Sequence, residues 1–203
     1  MDRRATRREL MARGMRTAAA ATAGSALAVA AVPDPALAAS AVPSDGEVLS
    51  KALEVERLMV LAYRRVLAAN ALGPGEEEVV STHLGHELEH LATLAERLRA
   101  LGMTPLATVP DLKTGEALLA KHHVPGSLTD LHSRADCLRL LVNLESIAEG
   151  VYFTALKTLG SADLVRLSAE AMACEAQHWT VLSGLRNPGL YVKSVPWPFV
   201  TGE

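Results

Sequence analysis

The 203-residue sequence predicts an all-α protein, a four-helix bundle built from two antiparallel hairpins joined by one long crossover. Three observations carry that prediction. Apolar residues recur at three- and four-residue spacing in four long segments. Glycine and proline punctuate the ends of those segments. Short links join the first segment to the second and the third to the fourth, whereas 26 residues, 102–127, separate the two pairs.

Each element has its own local signals. Ser44, Asp45, Gly46 and Glu47 form a capping-box pattern that opens the first helix. Its apolar stripe continues to about Ala71, and Gly73, Pro74 and Gly75 stop it. Glu76, Glu77 and Glu78 sit where acids favour a helix start, and the second helix runs from there to about Leu101. The crossover holds one short helix, Gly115–Lys121. The third helix is expected to begin near Ser127–Thr129 and reach Leu159. Ser161 or Asp163 opens the fourth, which Asn187 and Pro188 end. Residues 187–203 read as a non-helical tail, with a strand hint only at Leu190–Val195.

The bundle thus spans about 45–186 within a domain of 39–203. Residues 1–38 read as an address. Six arginines (Arg3, Arg4, Arg7, Arg8, Arg13, Arg16) precede an Ala-rich run from Thr17 to Val32, followed by the small-residue site Ala36, Leu37, Ala38. The run is shorter and less apolar than the ~20 residues a membrane span needs. Arg7 and Arg8, followed by Glu9, Leu10 and Met11, resemble a twin-arginine export signal, with Leu10 where Phe is common. That resemblance implies the twin-arginine export machinery as a partner. It also implies a cleaved signal and an exported location in the periplasm, cell envelope or exterior. Cleavage would remove six Arg and three acids (Asp2, Glu9, Asp34), leaving 14 Lys+Arg against 20 Asp+Glu, or −6.

Composition removes several classes. A net charge of −3 is not that of a basic nucleic-acid binder. Two cysteines make neither a disulfide scaffold nor a four-cysteine zinc or iron–sulfur site. An apolar content of 49% is too high for a disordered chain.

The chemistry lies in the stripes. The second helix contains Glu87 and His90, the fourth Glu175 and His178, each pair spaced Glu-x-x-His. At 100° per residue, such a pair shares one helix face. Glu87 lies among Val80, Leu84, Leu91, Leu94 and Leu98. Glu175 and His178 lie among Leu164, Leu167, Ala171 and Leu182. Glu56 occupies the stripe of the first helix and Glu145 that of the third, and each has a tyrosine seven residues on, Tyr63 and Tyr152. The spacing from Glu56 to Glu87 is 31 and from Glu145 to Glu175 is 30, so the halves read as a diverged repeat. A carboxylate in an apolar stripe is costly unless a partner offsets its lost water. Four carboxylates and two imidazoles suit a pair of Fe or Mn ions.

On these residues the chain resembles the ferritin-like superfamily, whose members include bacterioferritin, rubrerythrin and manganese catalase. The resemblance implies metal ligation by Glu56, Glu87, His90, Glu145, Glu175 and His178. Glu87 and Glu175 would bridge, Glu56 and Glu145 would cap, and each histidine would hold one metal. The implied activity is redox chemistry on Fe(II), O2 or peroxide. Cys137 and Cys174 alone cannot build the rubredoxin-type tail, and no fifth helix of cage ferritins is evident. A metal-binding or envelope-stress bundle without turnover is the alternative from another class.

Flanking residues carry expectations too. Glu149, whose repeat partner is Val60, is either an extra ligand or a carboxylate bonded to a neighbouring helix. Tyr63, Tyr152 and His83 are candidates to act beside the ligands or simply to fill the core. His86 and its repeat partner Cys174 flank the ligand face. His122, His123 and His132 are expected at the surface, and Glu54, Glu89, Glu96 and Glu170 in solvent. Cys137 and Cys174 are too far apart to bridge. The tail residues Trp197 and Phe199 either cover a bundle end or make a homodimer contact.

Overall fold

A computed structural model of the protein describes residues 43–195. Residues 1–38, read above as an export signal, and the aromatic pair Trp197 and Phe199 lie outside the described residues. The elements are α1 (Asp45–Ala68), α2 (Pro74–Ala100), α3 (Leu112–Lys121), α4 (Arg134–Thr158) and α5 (Ala162–Arg186), then a 3-10 turn at Tyr191–Lys193. The long helices α1, α2, α4 and α5 form the bundle and α3 lies in the crossover. No strand occurs among the described residues, so Leu190–Val195 is corrected from strand to a 3-10 turn within the tail. None of these helices is long and apolar enough to cross a membrane.

Capping explains most boundaries. The backbone N–H of Ser44 donates to Glu47 Oε2 at 2.7 Å, and Glu47 N–H donates to Ser44 Oγ at 3.3 Å, closing the expected box on α1. Pro74 takes the first turn of α2, where its missing N–H is harmless. The third bundle helix begins later than expected, after Ser133, whose Oγ accepts from Asp136 N–H at 3.2 Å. Ser127 is drawn into a local turn instead. Its Oγ accepts from the N–H groups of Thr129 and Asp130, at 3.1 and 3.2 Å. Leu128 N–H meanwhile donates to Glu116 Oε1 at 2.7 Å. Such side-chain bonds compete with helix formation. Ser161 makes no cap bond of its own. The carboxylate of Asp45, at the start of α1, accepts from Gly160 N–H at 2.7 Å and Ser161 N–H at 3.1 Å. The first helix therefore caps the last.

Packing is closest within the α4–α5 and α1–α2 hairpins and then between α1 and α4, while α2 and α5 touch only slightly. The apolar core divides into two clusters. One, including Leu58, Met59, Leu138, Leu141 and Leu182, fills one end of the bundle. The other, including Leu49, Leu53, Leu94, Leu98 and Leu164, fills the opposite end. The inward Glu and His residues fall between them on every long helix. The helix α3 closes over α1 at Gly115, where a Cβ would stand 2.4 Å from Leu61 and 2.6 Å from Leu128. Any side chain there would force the ends of those two leucines to shift.

Candidate metal centre

Four carboxylates, Glu56, Glu87, Glu145 and Glu175, are fully buried in the middle of the bundle, together with His178. His90 closes the group with a side chain 16% exposed. The imidazoles reach across the bundle. His90 Nδ1, on α2, stands 2.9 Å from Glu175 Oε1 on α5, 3.6 Å from Glu87 and 3.8 Å from Glu56. His178 Nδ1, on α5, stands 3.0 Å from Glu87 Oε1 on α2, 3.4 Å from Glu175 and 3.6 Å from Glu145. Two four-residue groups result, each able to hold a metal ion: Glu56, Glu87, His90 and Glu175; and Glu87, Glu145, Glu175 and His178. Glu87 and Glu175 belong to both. Ligands about 2.1 Å from one cation at right angles stand about 3 Å apart, close to the shortest spacings here.

The tyrosines differ from a simple reading by sequence. Each pairs not with the Glu on its own helix but with the one opposite. Tyr63 donates to Glu145 Oε1, and Tyr152 donates to Glu56 Oε1. This pairing follows from the antiparallel contact of α1 with α4, which sets residue 63 beside 145 and 152 beside 56. His83 also lies beside the cavity. Its Nδ1 is 3.4 Å from the Tyr63 hydroxyl, and its ring stacks on His178 with centroids 4.0 Å apart.

The buried carboxyls and imidazoles shift one another's titration. Burial first, then the charge of Glu175, pushes the Glu56 and Glu145 carboxyls well above their usual range. Burial acts to raise Glu175 as well, but the close imidazoles of His178 and His90 outweigh it and hold Glu175 at about 2. Both ligand-facing histidines are raised, because burial, which lowers them, is outweighed by the neighbouring Cys174 and the carboxylates around them. Burial and the neighbouring His178 and His86 lower His83 to about 3, so it stays neutral. Burial raises both tyrosines, with Glu145 adding to it at Tyr63 and Glu56 at Tyr152.

Glu149 belongs to neither four-residue group. It is half-buried, and burial with the nearby Glu175 charge raises it to about 7. His86 and Cys174 come closer than flanking positions required, since both touch His178. Their matched offset on repeat-related helices was the sequence signal for this. Cys137 and Cys174 are both free thiols. His132 is exposed, whereas His122 and Glu54 depart from the surface expectation: Glu54 Oε1 accepts from Lys121 at 2.5 Å and lies 3.1 Å from His122 Nε2. Glu89, Glu96 and Glu170 are exposed.

A family model described as "Ferritin-like domain" matches residues 44–188, and the chain belongs to that family. Among solved structures the chain is similar to that of a conserved hypothetical protein, rv2844, from Mycobacterium tuberculosis. The identity is 22% and the TM-score 0.58, over 70% of this chain and 96% of that one, a likeness of fold. The comparison with curated proteins found no match.

Proposed function

We propose that this is an exported protein that holds two Fe or Mn ions and carries out redox chemistry on Fe(II), O2 or peroxide. One observation supports it above the others. Of ten buried side-chain N and O atoms without a hydrogen-bond partner among the described residues, eight line this one cavity: Glu56 Oε2, both oxygens of Glu87 and of Glu175, Glu145 Oε2, and Nδ1 of His90 and His178. Orphaned buried polar atoms cost roughly 1–3 kcal/mol each, and more when charged. A cluster that large fits cations, which would satisfy all eight at once. The oxygen-rich donor set with one nitrogen at each end suits Fe or Mn rather than a thiophilic ion.

In this reading Glu87 and Glu175, which each face both imidazoles, would be shared by the two ions, with Glu56 and His90 holding one and Glu145 and His178 the other. Tyr152 and Tyr63 fix the capping carboxylates by hydrogen bonds, so both enter the site in one orientation. The apolar clusters above and below keep bulk water out. When bound, a metal pair supplies the electron-transfer steps that Fe(II) oxidation, or reduction or disproportionation of O2 or peroxide, requires.

The test is elemental analysis of the purified protein, with turnover assays on Fe(II) and on peroxide. About two Fe or Mn per chain are expected. Glu87→Ala and His178→Ala should lose both the metal and any turnover, and full activity in either variant would overturn the proposal. Metal without turnover would favour the metal-binding or envelope-stress reading. Export is tested by replacing Arg7 and Arg8 with Lys and following the protein between cell fractions. It should stay in the cytoplasm.

A further inference from the structure

The ring of His178 is used on both sides. Its Nδ1 faces the buried carboxylates, while Nε2 faces outward, 2.9 Å from His86 Nδ1 and 3.4 Å from Cys174 Sγ. Cys174 Sγ and His86 Nδ1 are 3.9 Å apart, closing a triangle of two nitrogens and one sulfur. We infer that His86, Cys174 and His178 form a second, outer metal site for a borderline-soft divalent cation of the Zn2+ class.

Three arguments converge on it. First, the spacing fits. With Zn–N near 2.05 Å and Zn–S near 2.3 Å, tetrahedral geometry sets the nitrogens about 3.3 Å apart and sulfur about 3.6 Å from each. The triangle needs adjustments of only a few tenths of an ångström, within reach of the exposed His86 side chain. Second, hydrogen bonds through the His178 Nε2–H and the Cys174 thiol proton link these atoms only in pairs, whereas one cation engages all three. Third, the triangle has an outlet. It sits on the lightly packed seam between α2 and α5, with His86 exposed and Cys174 half-buried. Three protein ligands on a solvent-facing seam leave a fourth position for water, the pattern of exchangeable rather than closed sites.

The two sites differ in chemistry. The inner set offers carboxylates with one nitrogen at each end, and the outer set offers two nitrogens and a thiolate, so the outer one selects softer ions. Binding there displaces the Cys174 thiol proton and the proton His178 carries on Nε2. The shared imidazole then carries an ion on each side and couples the two sites. The inference does not depend on the inner pair.

Cobalt(II) alone, titrated into the full-length chain, reads the outer site by colour. A thiolate–cobalt absorption in the near-ultraviolet is expected, removed by stoichiometric Zn2+. Cys174→Ser should abolish it, and His86→Ala should weaken cobalt binding at that band at least tenfold. Glu87→Gln should keep the band. Zn2+ should also protect Cys174 from alkylation. Cobalt bound with no sulfur band in the wild-type chain would overturn the inference, as would a band unchanged in His86→Ala. The outcomes separate the two readings. A sulfur band without inner ions sinks the inner pair alone, and inner ions without a sulfur band sink the outer site alone.

Discussion

Tyr63 on α1 donates to Glu145 on α4, and Tyr152 on α4 donates to Glu56 on α1, so two helices exchange one hydrogen bond in each direction. Both tyrosines are buried, and so are both carboxylates. The two bonds hold the outer carboxylates of the cavity from opposite ends of the same helix pair.

Removing either hydroxyl should therefore have two readouts. Tyr63→Phe and Tyr152→Phe should each lower the stability of the ion-free protein by about 1–3 kcal/mol in urea unfolding. Each should also weaken metal binding about 10–100-fold, as loss of a ligand's supporting partner does. Wild-type affinity in both variants would show that the tyrosines only fill the core.

Metal uptake should release protons. Burial and the Glu175 charge keep Glu56 and Glu145 protonated well above the usual range, yet a cation needs them as anions. A carboxyl raised in this way holds its proton until the pH passes its folded value, so affinity should fall as pH drops. Calorimetric titration in two buffers of different ionisation enthalpy would count the protons. An affinity constant across about pH 5 to 8 would contradict the prediction.

The crossover is tied to α1 through Glu54, which Lys121 and His122 approach from the end of α3. Burial opposes the charge on Glu54, but the bonds from Lys121 and His122 prevail and lower its pKa below the ordinary 4.5. A depressed carboxyl contributes stability above its unfolded value, and that contribution is lost as pH falls through the folded value. Glu54→Gln should cost up to about 1 kcal/mol at neutral pH. Its thermal midpoint should converge on the wild type's in acid, well below pH 4.5.

Gly115 should tolerate no branched side chain. Even a Cβ there would overlap Leu61 and Leu128. Gly115→Val should cost about 1–3 kcal/mol by overpacking, despite valine's better helix propensity than glycine's. Thermal unfolding checks it, and an unchanged midpoint would mean that α3 can lift from α1.

The sequence made the bundle legible because each long helix carries a stripe and a stop, and because Glu-x-x-His places two side chains on one face whatever their surroundings. The start of α4, at Arg134, lies several residues beyond the Ser127–Thr129 that the local pattern predicts. Ser127 and Ser133 both look like caps, and the choice rests on Glu116 binding Leu128 N–H, a contact set by how α3 docks. The tyrosine partners were equally hidden, since their pairing depends on the register of α1 against α4. For His86 and Cys174, the helical offset revealed nearness to the ligand face but not their contact with His178, which needs α2 and α5 in place.

Each four-residue group draws on both hairpins: Glu56, Glu87 and His90 need Glu175, and Glu145, Glu175 and His178 need Glu87. No half of the chain holds a complete set. During synthesis, the first hairpin, which ends at Ala100, leaves the ribosome with its acids already committed to the interior and nothing to receive them, until α5, Ala162–Arg186, emerges. The cavity is therefore a late product of folding, and a chain truncated before α5 should be a target for proteolysis rather than a weaker version of the same protein.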